Sequence, residues 1–428
     1  VMNCHRRRRE MMKWQKIAVV CLLLFASGML FSSCRVKGEA EAFRIEARAV
    51  HDSALTVDTH IDTPAHMLRE GWKIGERHDP SQRESGKIDL PRMAEGGLDA
   101  AFFAVFVGQG ERTPEGYARA KEQTMSLLDA IHKMAEDYPH LVEIAFSPED
   151  AYRLEKEGKR AAFIGMENGY PIDTNLTLLE EYYKRGVRYL TLCHSRDNDL
   201  CDSSMERQSP EDNGLSEFGK EVVAECNRLG IMVDVSHVSD KSFFDVLQVT
   251  RAPVIASHSG VRAICDTQRN LSDEMLKAFA LNGGVIQVCF VSSFLKKEKP
   301  NPERDKALQG LREKYGSRRD IKDEVTLAKM REEYEAILEK YPVERATVKD
   351  LVNHIDHVVK LVGVDYVGVG TDFDGGGELD GCEEVSQMSH ITEELLRRGY
   401  SAEEIRKIWG GNLMRVFGKV IQIAEKSK

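Results

Sequence analysis

Eight short runs of β-branched and apolar residues, mostly separated by segments with helical period, are the feature that most restricts what this chain can fold into. They are Thr56–Asp62 (TVDTHID), Leu98–Val107 (LDAAFFAVFV), Ala161–Glu167 (AAFIGME), Val187–His194 (VRYLTLCH), Ile231–His237 (IMVDVSH), Pro253–His258 (PVIASH), Gly284–Val291 (GVIQVCFV) and Tyr366–Asp372 (YVGVGTD). Between them, for example over Tyr117–Tyr138 and Ser216–Leu229, apolar residues recur every three or four positions. Alternating strand and helix build βαβ units, and these make a parallel sheet. Eight such units predict an α/β fold, a (β/α)8 barrel of the TIM type, and runs this apolar suit strands covered on both faces. A doubly wound open sheet would show a glycine-rich phosphate turn after its first strand, where this chain has His60-Ile61-Asp62-Thr63-Pro64.

The barrel is expected over 52–420 of the 428 residues, with 421–428 as a tail. Lys296–Arg345, rich in Lys and Glu, falls after the seventh strand as a helical insertion, either a solvated excursion or a partial lid over the catalytic face. At the start, HRRRREMMKWQK precedes the uncharged run Ile17–Phe31 and then Ser32-Ser33-Cys34. A basic region, an apolar region and small residues before a cysteine have the order of an export signal. The stretch resembles a bacterial lipobox, which implies a signal over 1–33, a lipid on Cys34 and a tether over 34–51. A bare transmembrane anchor is the alternative, though the apolar run is short for a bilayer span. The expected location is the bacterial cell envelope, facing periplasm or exterior.

A formal charge of −10 argues against nucleic acid as a partner, since nothing would offset phosphate repulsion. The first 33 residues carry six basic groups and one acid, so the remainder stands near −15. Nine cysteines show no zinc-ribbon spacing, and no particular disulfide is expected among Cys193, Cys201, Cys226, Cys265, Cys289 and Cys382.

Most of the runs end in a side chain able to bind metal or carry a proton: His60 and Asp62, Glu167, His194, His237, His258 and Asp372. In a barrel the C-terminal strand ends converge on one face, so these residues would meet. Any one strand-end histidine is more often structural; four of the chain's 13 histidines at such ends are a pattern. Imidazoles and carboxylates suit zinc and related divalent ions, and a carboxylate can bridge two. His60 and Asp62, two apart, share one side of their strand and form a chelating pair. Glu167 would bridge, and His237 and His258 would complete a second site. Two ions sharing a hydroxide are machinery for metal-assisted hydrolysis. Other candidates are weaker. His354 and His357 lack a third ligand nearby, Asp374 lies beyond the strand end as a second choice of proton carrier, and His66 belongs to the following turn. Glycines 375–377 carry no phosphate-binding signal.

DTHID (Asp58–Asp62), GMENG (Gly165–Gly169), GVRYLTLCH (Gly186–His194), GLSEFGKEVVAECNRLGIMVDVSHVS (Gly214–Ser239), PVIASHS (Pro253–Ser259) with Arg269-Asn270, GTDFDG (Gly370–Gly375) and GGNLMRVF (Gly410–Phe417) resemble, in the same order, the membrane (renal-type) dipeptidase family of dinuclear zinc peptidases. The resemblance implies two Zn2+ ions, one on His60 and Asp62, the other on His237 and His258, bridged by Glu167 and a hydroxide that attacks the peptide carbonyl. It further implies that His194 contacts substrate and steadies the oxyanion, that Arg269 pairs with the dipeptide carboxylate, and that Asp372 moves the proton. The loop Ser195–Asp202 is only partly like the family's asparagine-containing stretch, which points to a different side-chain preference. Dipeptides are the expected partners, with oligomeric state open and a homodimer allowed. Rival readings are another barrel amidase or lactonase, and a lipoprotein that binds peptide or metal without turnover.

Overall fold

The computed structural model describes residues 40–206, 211, 213–316, 321 and 323–426. Residues 1–33 and Cys34, read above as signal and lipidation site, lie outside the described residues. Strands β1 (Val57–Ile61), β2 (Ala100–Phe106), β3 (Val142–Ile144), β4 (Arg160–Glu167), β5 (Val187–Thr191), β6 (Met232–Asp234), β7 (Ile255–Ser259), β8 (Val285–Val288) and β9 (Val367–Val369) follow in chain order. All their ladders are parallel, in the order β1-β2-β4-β5-β6-β7-β8-β9. The ring closes just beyond β9, where the Asp62 N–H donates to the Phe373 carbonyl at 2.8 Å and the Asp372 N–H to the His60 carbonyl at 3.0 Å. The eight expected strands are thus the eight staves of a (β/α)8 barrel. The additional strand, β3, pairs with the start of β4 from Val142↔Arg160 to Ile144↔Ala162, below the point where β5 joins it. Three residues are too few for an alternation pattern to reveal.

Side chains of alternate strand residues fill the barrel interior. Phe102, Phe163 and Tyr189 stack across it, with ring centroids 4.7 Å apart for the first pair and 5.2 Å for Phe102 and Tyr189. Helix Asn412–Lys426 stops the lower end with Leu413, Met414, Phe417 and Val420, all buried. Apolar packing therefore seals one mouth, and polar residues gather at the other. Outside, the long helices start on side-chain caps: Thr113 for Pro114–Asp137, Ser216 for Glu217–Leu229 and Thr347 for Val348–Val362.

Two boundaries move. The stretch 34–51 is no mere tether, because 40–52 is helical and docks on the barrel: His51 is buried, its ring nitrogens 2.8 Å from Thr392 Oγ1 and 2.9 Å from the Gly96 carbonyl. Likewise 421–426 continues helix Asn412–Lys426 and buries Ala424, so the expected tail is wall rather than tail. The insertion is a helical hairpin, Pro302–Tyr315 and Glu324–Lys340, joined by Lys314 and the Tyr315 hydroxyl on Glu333. It is largely solvated, yet Arg331 lines a cleft with His66, Asp374 and Gly376 at the edge of the catalytic face. Among the described residues no helix is long and apolar enough to cross a membrane, and the six cysteines are buried free thiols.

Candidate active site

The polar mouth owes its shape to breaks in strand regularity. At the end of β1 the Asp58 carboxylate accepts from the His60 N–H (3.1 Å) and from Thr371 N–H (2.9 Å), tying first strand to last. The ladder shifts register between Asp58 and Ile61, and again between Ala256 and Ser259 before β8. His60 and His258 are thereby both turned inward. His237 (φ 72°), Asp372 (φ 59°), Asn168 (φ 77°) and Asp374 (φ 68°) have left-handed backbone, uncommon for residues with a Cβ and concentrated here at strand ends. Gly375 closes against the same space: a Cβ there would stand 1.9 Å from Asp62 Oδ2 and 2.2 Å from Asp372 Oδ1.

Glu167 is the centre. Its Oε1 lies 3.1 Å from His237 Nε2, 3.4 Å from His258 Nε2 and 3.8 Å from His194 Nε2, and its Oε2 is 3.4 Å from His60 Nε2. His60 Nε2 is also 3.6 Å from Asp62 Oδ2, and the Nε2 atoms of His237 and His258 are 2.9 Å apart. Asp372 groups with His60 and Asp62. Six of the seven strand-end residues therefore line, together with Arg269, a cavity of about 550 Å³, and His60 stands buried behind them against Glu167 and Asp62. Arg269 comes from the loop after β7 and is buried. Its Nη1 donates to Ser259 Oγ at 2.9 Å and its Nη2 to the His258 carbonyl at 2.8 Å, while Nε has no partner among the described residues.

The charges are coupled. Burial opposes ionisation of Glu167, but His60, His194, His237 and His258 hold its carboxyl well below the ordinary range. Burial likewise works against a charged His60, and is outweighed by Tyr189, Glu167 and Asp62, which raise it well above 6.5. His237 and His258 are pushed well down by burial, with the Arg269 charge adding to it. Burial and then Asp62 push the Asp372 carboxyl well up; cations in the cluster would act the other way. The donor set fits a divalent cation. His60 Nε2 is buried with no hydrogen-bond partner among the described residues, and imidazole nitrogens face carboxylate oxygens from several sides.

The weaker candidates are structural. His354 accepts the Val261 N–H at 2.9 Å and sits 3.0 Å from the Leu295 carbonyl; His357 pairs with Asp273 at 2.8 Å. Asp374 is occupied by the Lys87 N–H (2.6 Å) and Thr63 hydroxyl (2.7 Å), and His66, 3.9 Å from Asp374, stands at the cavity rim. Sequence reasoning missed the apolar wall, Phe106, Leu127, Met205 and Phe294, and the partners behind the histidines, Tyr189, Asp234 and Ser257. Asp234 could have been found: it stands two before Ser236 in IMVDVSH, on the inward phase of its strand. The loop after His194 is built on Asn198, whose amide donates to Asn168 Oδ1 (3.0 Å) and to the Leu192 carbonyl (2.9 Å).

A parallel barrel with imidazoles and carboxylates gathered at the C-terminal ends of its strands defines a class, the metal-dependent hydrolase barrels. Residues 44–428 match the family described as membrane dipeptidase, peptidase family M19, and the chain belongs to it. It is 30% identical to dipeptidase tcpJ of Claviceps purpurea over 378 residues, covering 87% of this chain and 78% of that protein. It is 31% identical to mouse (Mus musculus) dipeptidase 3 over 390 residues, covering 90% and 68%. Among solved structures, the probable dipeptidase PvdM of Pseudomonas aeruginosa superposes with a TM-score of 0.78 at 33% identity, over 90% of this chain and all of that one. The chain is a metallopeptidase acting on dipeptides.

Proposed function

We propose that the metal is zinc, two ions of it, held by His60, Asp62, Glu167, His237 and His258, and that the reaction is hydrolysis of dipeptides with a free C-terminal carboxylate. The observation that carries this is the convergence of three histidines, His60, His237 and His258, on Glu167, with Asp62 against His60, beside a buried guanidinium with an unused donor, Arg269 Nε. Bound there, two such ions would acidify a shared water and polarise the peptide carbonyl. Arg269 receives the substrate carboxylate, a task for which a permanently charged, planar fork of donors is suited. His194, partly exposed in the cavity wall with Nδ1 3.2 Å from Ser195 Oγ, steadies the oxyanion. Asp372 takes a proton from the attacking water and hands it to the leaving amine. We further propose that residues 1–33 direct export and that Cys34 carries a lipid on the envelope face of the cell, which mass spectrometry of the mature N-terminus would test. For the enzyme, the test is a dipeptide panel assayed on chelator-stripped protein before and after zinc is restored. Activity that appears only with zinc, at about two equivalents per chain, is expected; no turnover of any dipeptide would refute the reading.

A further inference from the structure

Behind the cluster runs a polar chain that touches neither substrate nor reacting atoms. Asp234, at the end of β6, is fully buried and accepts four hydrogen bonds. One carboxylate oxygen takes the backbone N–H groups of Ser236 (3.0 Å) and Ser257 (2.8 Å); the other takes the hydroxyls of Ser257 (2.6 Å) and Thr191. Ser257 Oγ in turn lies 2.8 Å from His258 Nδ1. A carboxylate only accepts and is the charged acceptor, so the single Ser257 hydroxyl proton is directed to Asp234 at 2.6 Å in preference to the neutral acceptors in reach, His258 Nδ1 at 2.8 Å and Ser236 Oγ at 3.4 Å. Ser257 can then face His258 only as an acceptor. Nδ1 of His258 must hold the ring proton, and Nε2 keeps a lone pair turned toward Glu167 Oε1 at 3.4 Å.

His60 is different. Its Nδ1 is 2.7 Å from the Tyr189 hydroxyl, a group that can donate or accept and has no second partner among the described residues. Either tautomer of His60 satisfies that contact. His237 Nδ1 has no hydrogen-bond partner among the described residues. Of the three ligand histidines, His258 alone has its tautomer set by a partner behind the cluster; His237 meets a neighbour only through Nε2, which lies 2.9 Å from His258 Nε2 within the cluster itself.

We propose that Asp234, acting through Ser257, is a positioning residue that holds His258 in the tautomer able to ligate a divalent ion, so that the ion on His258 is the tighter bound of the two. This rests on the metal-dependent reading above. Asp234→Asn is the informative variant. It preserves shape, but its Nδ2 can donate to Ser257 and frees the serine proton to donate to His258 Nδ1, which selects the wrong tautomer. Ser257→Ala removes the relay without reversing it.

The experiment titrates metal-free protein with Zn2+ in competition with a chromophoric chelator, with no substrate present. Asp234→Asn should weaken the tighter equivalent by about 10- to 100-fold, the usual cost of removing a partner behind a ligand histidine. Ser257→Ala should weaken it less, and Tyr189→Phe should leave it unchanged. Circular dichroism and urea midpoints of the metal-free forms show whether each variant is folded; if Asp234→Asn is not, Ser257→Ala decides. Parent-like affinity of the tighter equivalent in every folded relay variant overturns the proposal alone. A parent protein that binds no divalent ion overturns both the relay and the metal-dependent reading.

Discussion

Replacing Arg269 with Met keeps much of the side-chain volume and removes the charge. Arg269 is 4% exposed, and two of its three kinds of nitrogen already serve the scaffold, on Ser259 Oγ and the His258 carbonyl. A hydrogen bond to a charged group contributes roughly 1.5–3 kcal/mol, so losing a carboxylate grip of one to two such bonds costs about 3 kcal/mol. That is roughly a hundredfold in kcat/KM. Parent and Arg269→Met are compared on a dipeptide and on the same dipeptide with a C-terminal carboxamide. The free acid should fall about a hundredfold while the carboxamide, a poor substrate for the parent, changes less than about threefold. The variant also leaves two acceptors without donors, a stability cost of about 1–3 kcal/mol, so rates belong well below its melting temperature. An equal fall on both substrates would refute the carboxylate role and make Arg269 a prop for His258.

Asp372→Asn cannot accept and pass on a proton; kcat should drop by roughly 10²- to 10⁴-fold, and metal content by atomic spectroscopy should stay at the parent's value. Gly165→Ala would place a Cβ 2.0 Å from Tyr189 Cζ, so the thermal midpoint should fall by an amount equivalent to about 1–3 kcal/mol, read by calorimetry. Acid sensitivity follows from buried neutral histidines: burial lowers His51 and His354 each from 6.5 to about 4. The unfolded chain then binds more protons between these values, so their contribution is full above pH 6.5 and is lost as pH falls toward 4. His51→Gln should shrink the loss of stability between about pH 7 and 5 by roughly 2 kcal/mol in urea titrations, and an unchanged pH slope would count against a neutral His51.

The eight staves, their parallel direction and the gathering of His60, Asp62, Glu167, His194, His237, His258 and Asp372 were legible in the linear chain. Strand ends are local: a run of β-branched residues stopping at a histidine says where that histidine sits along a stave, and barrel topology carries it to the shared mouth. Helix 40–52 was not legible as part of the fold, because its reason for docking is Gly96, Thr392 and Trp409, far away in the chain. Strand β3 was too short to show a period.

What the sequence by itself determined is the fold class and the inventory of strand-end histidines and carboxylates, since both depend on periodicity and on residue type at element ends. The tertiary structure alone decided the rest: that Asp374 is tied up by Thr63 and Lys87 while Asp372 faces the cluster, that Arg269 keeps one donor free, and that His258 is backed by Ser257 and Asp234 where His60 is backed by a phenol. Those are questions of which donor meets which acceptor. Hydrogen bonds are short and directional, so they are settled by packing between residues that stand tens or hundreds of positions apart in the chain.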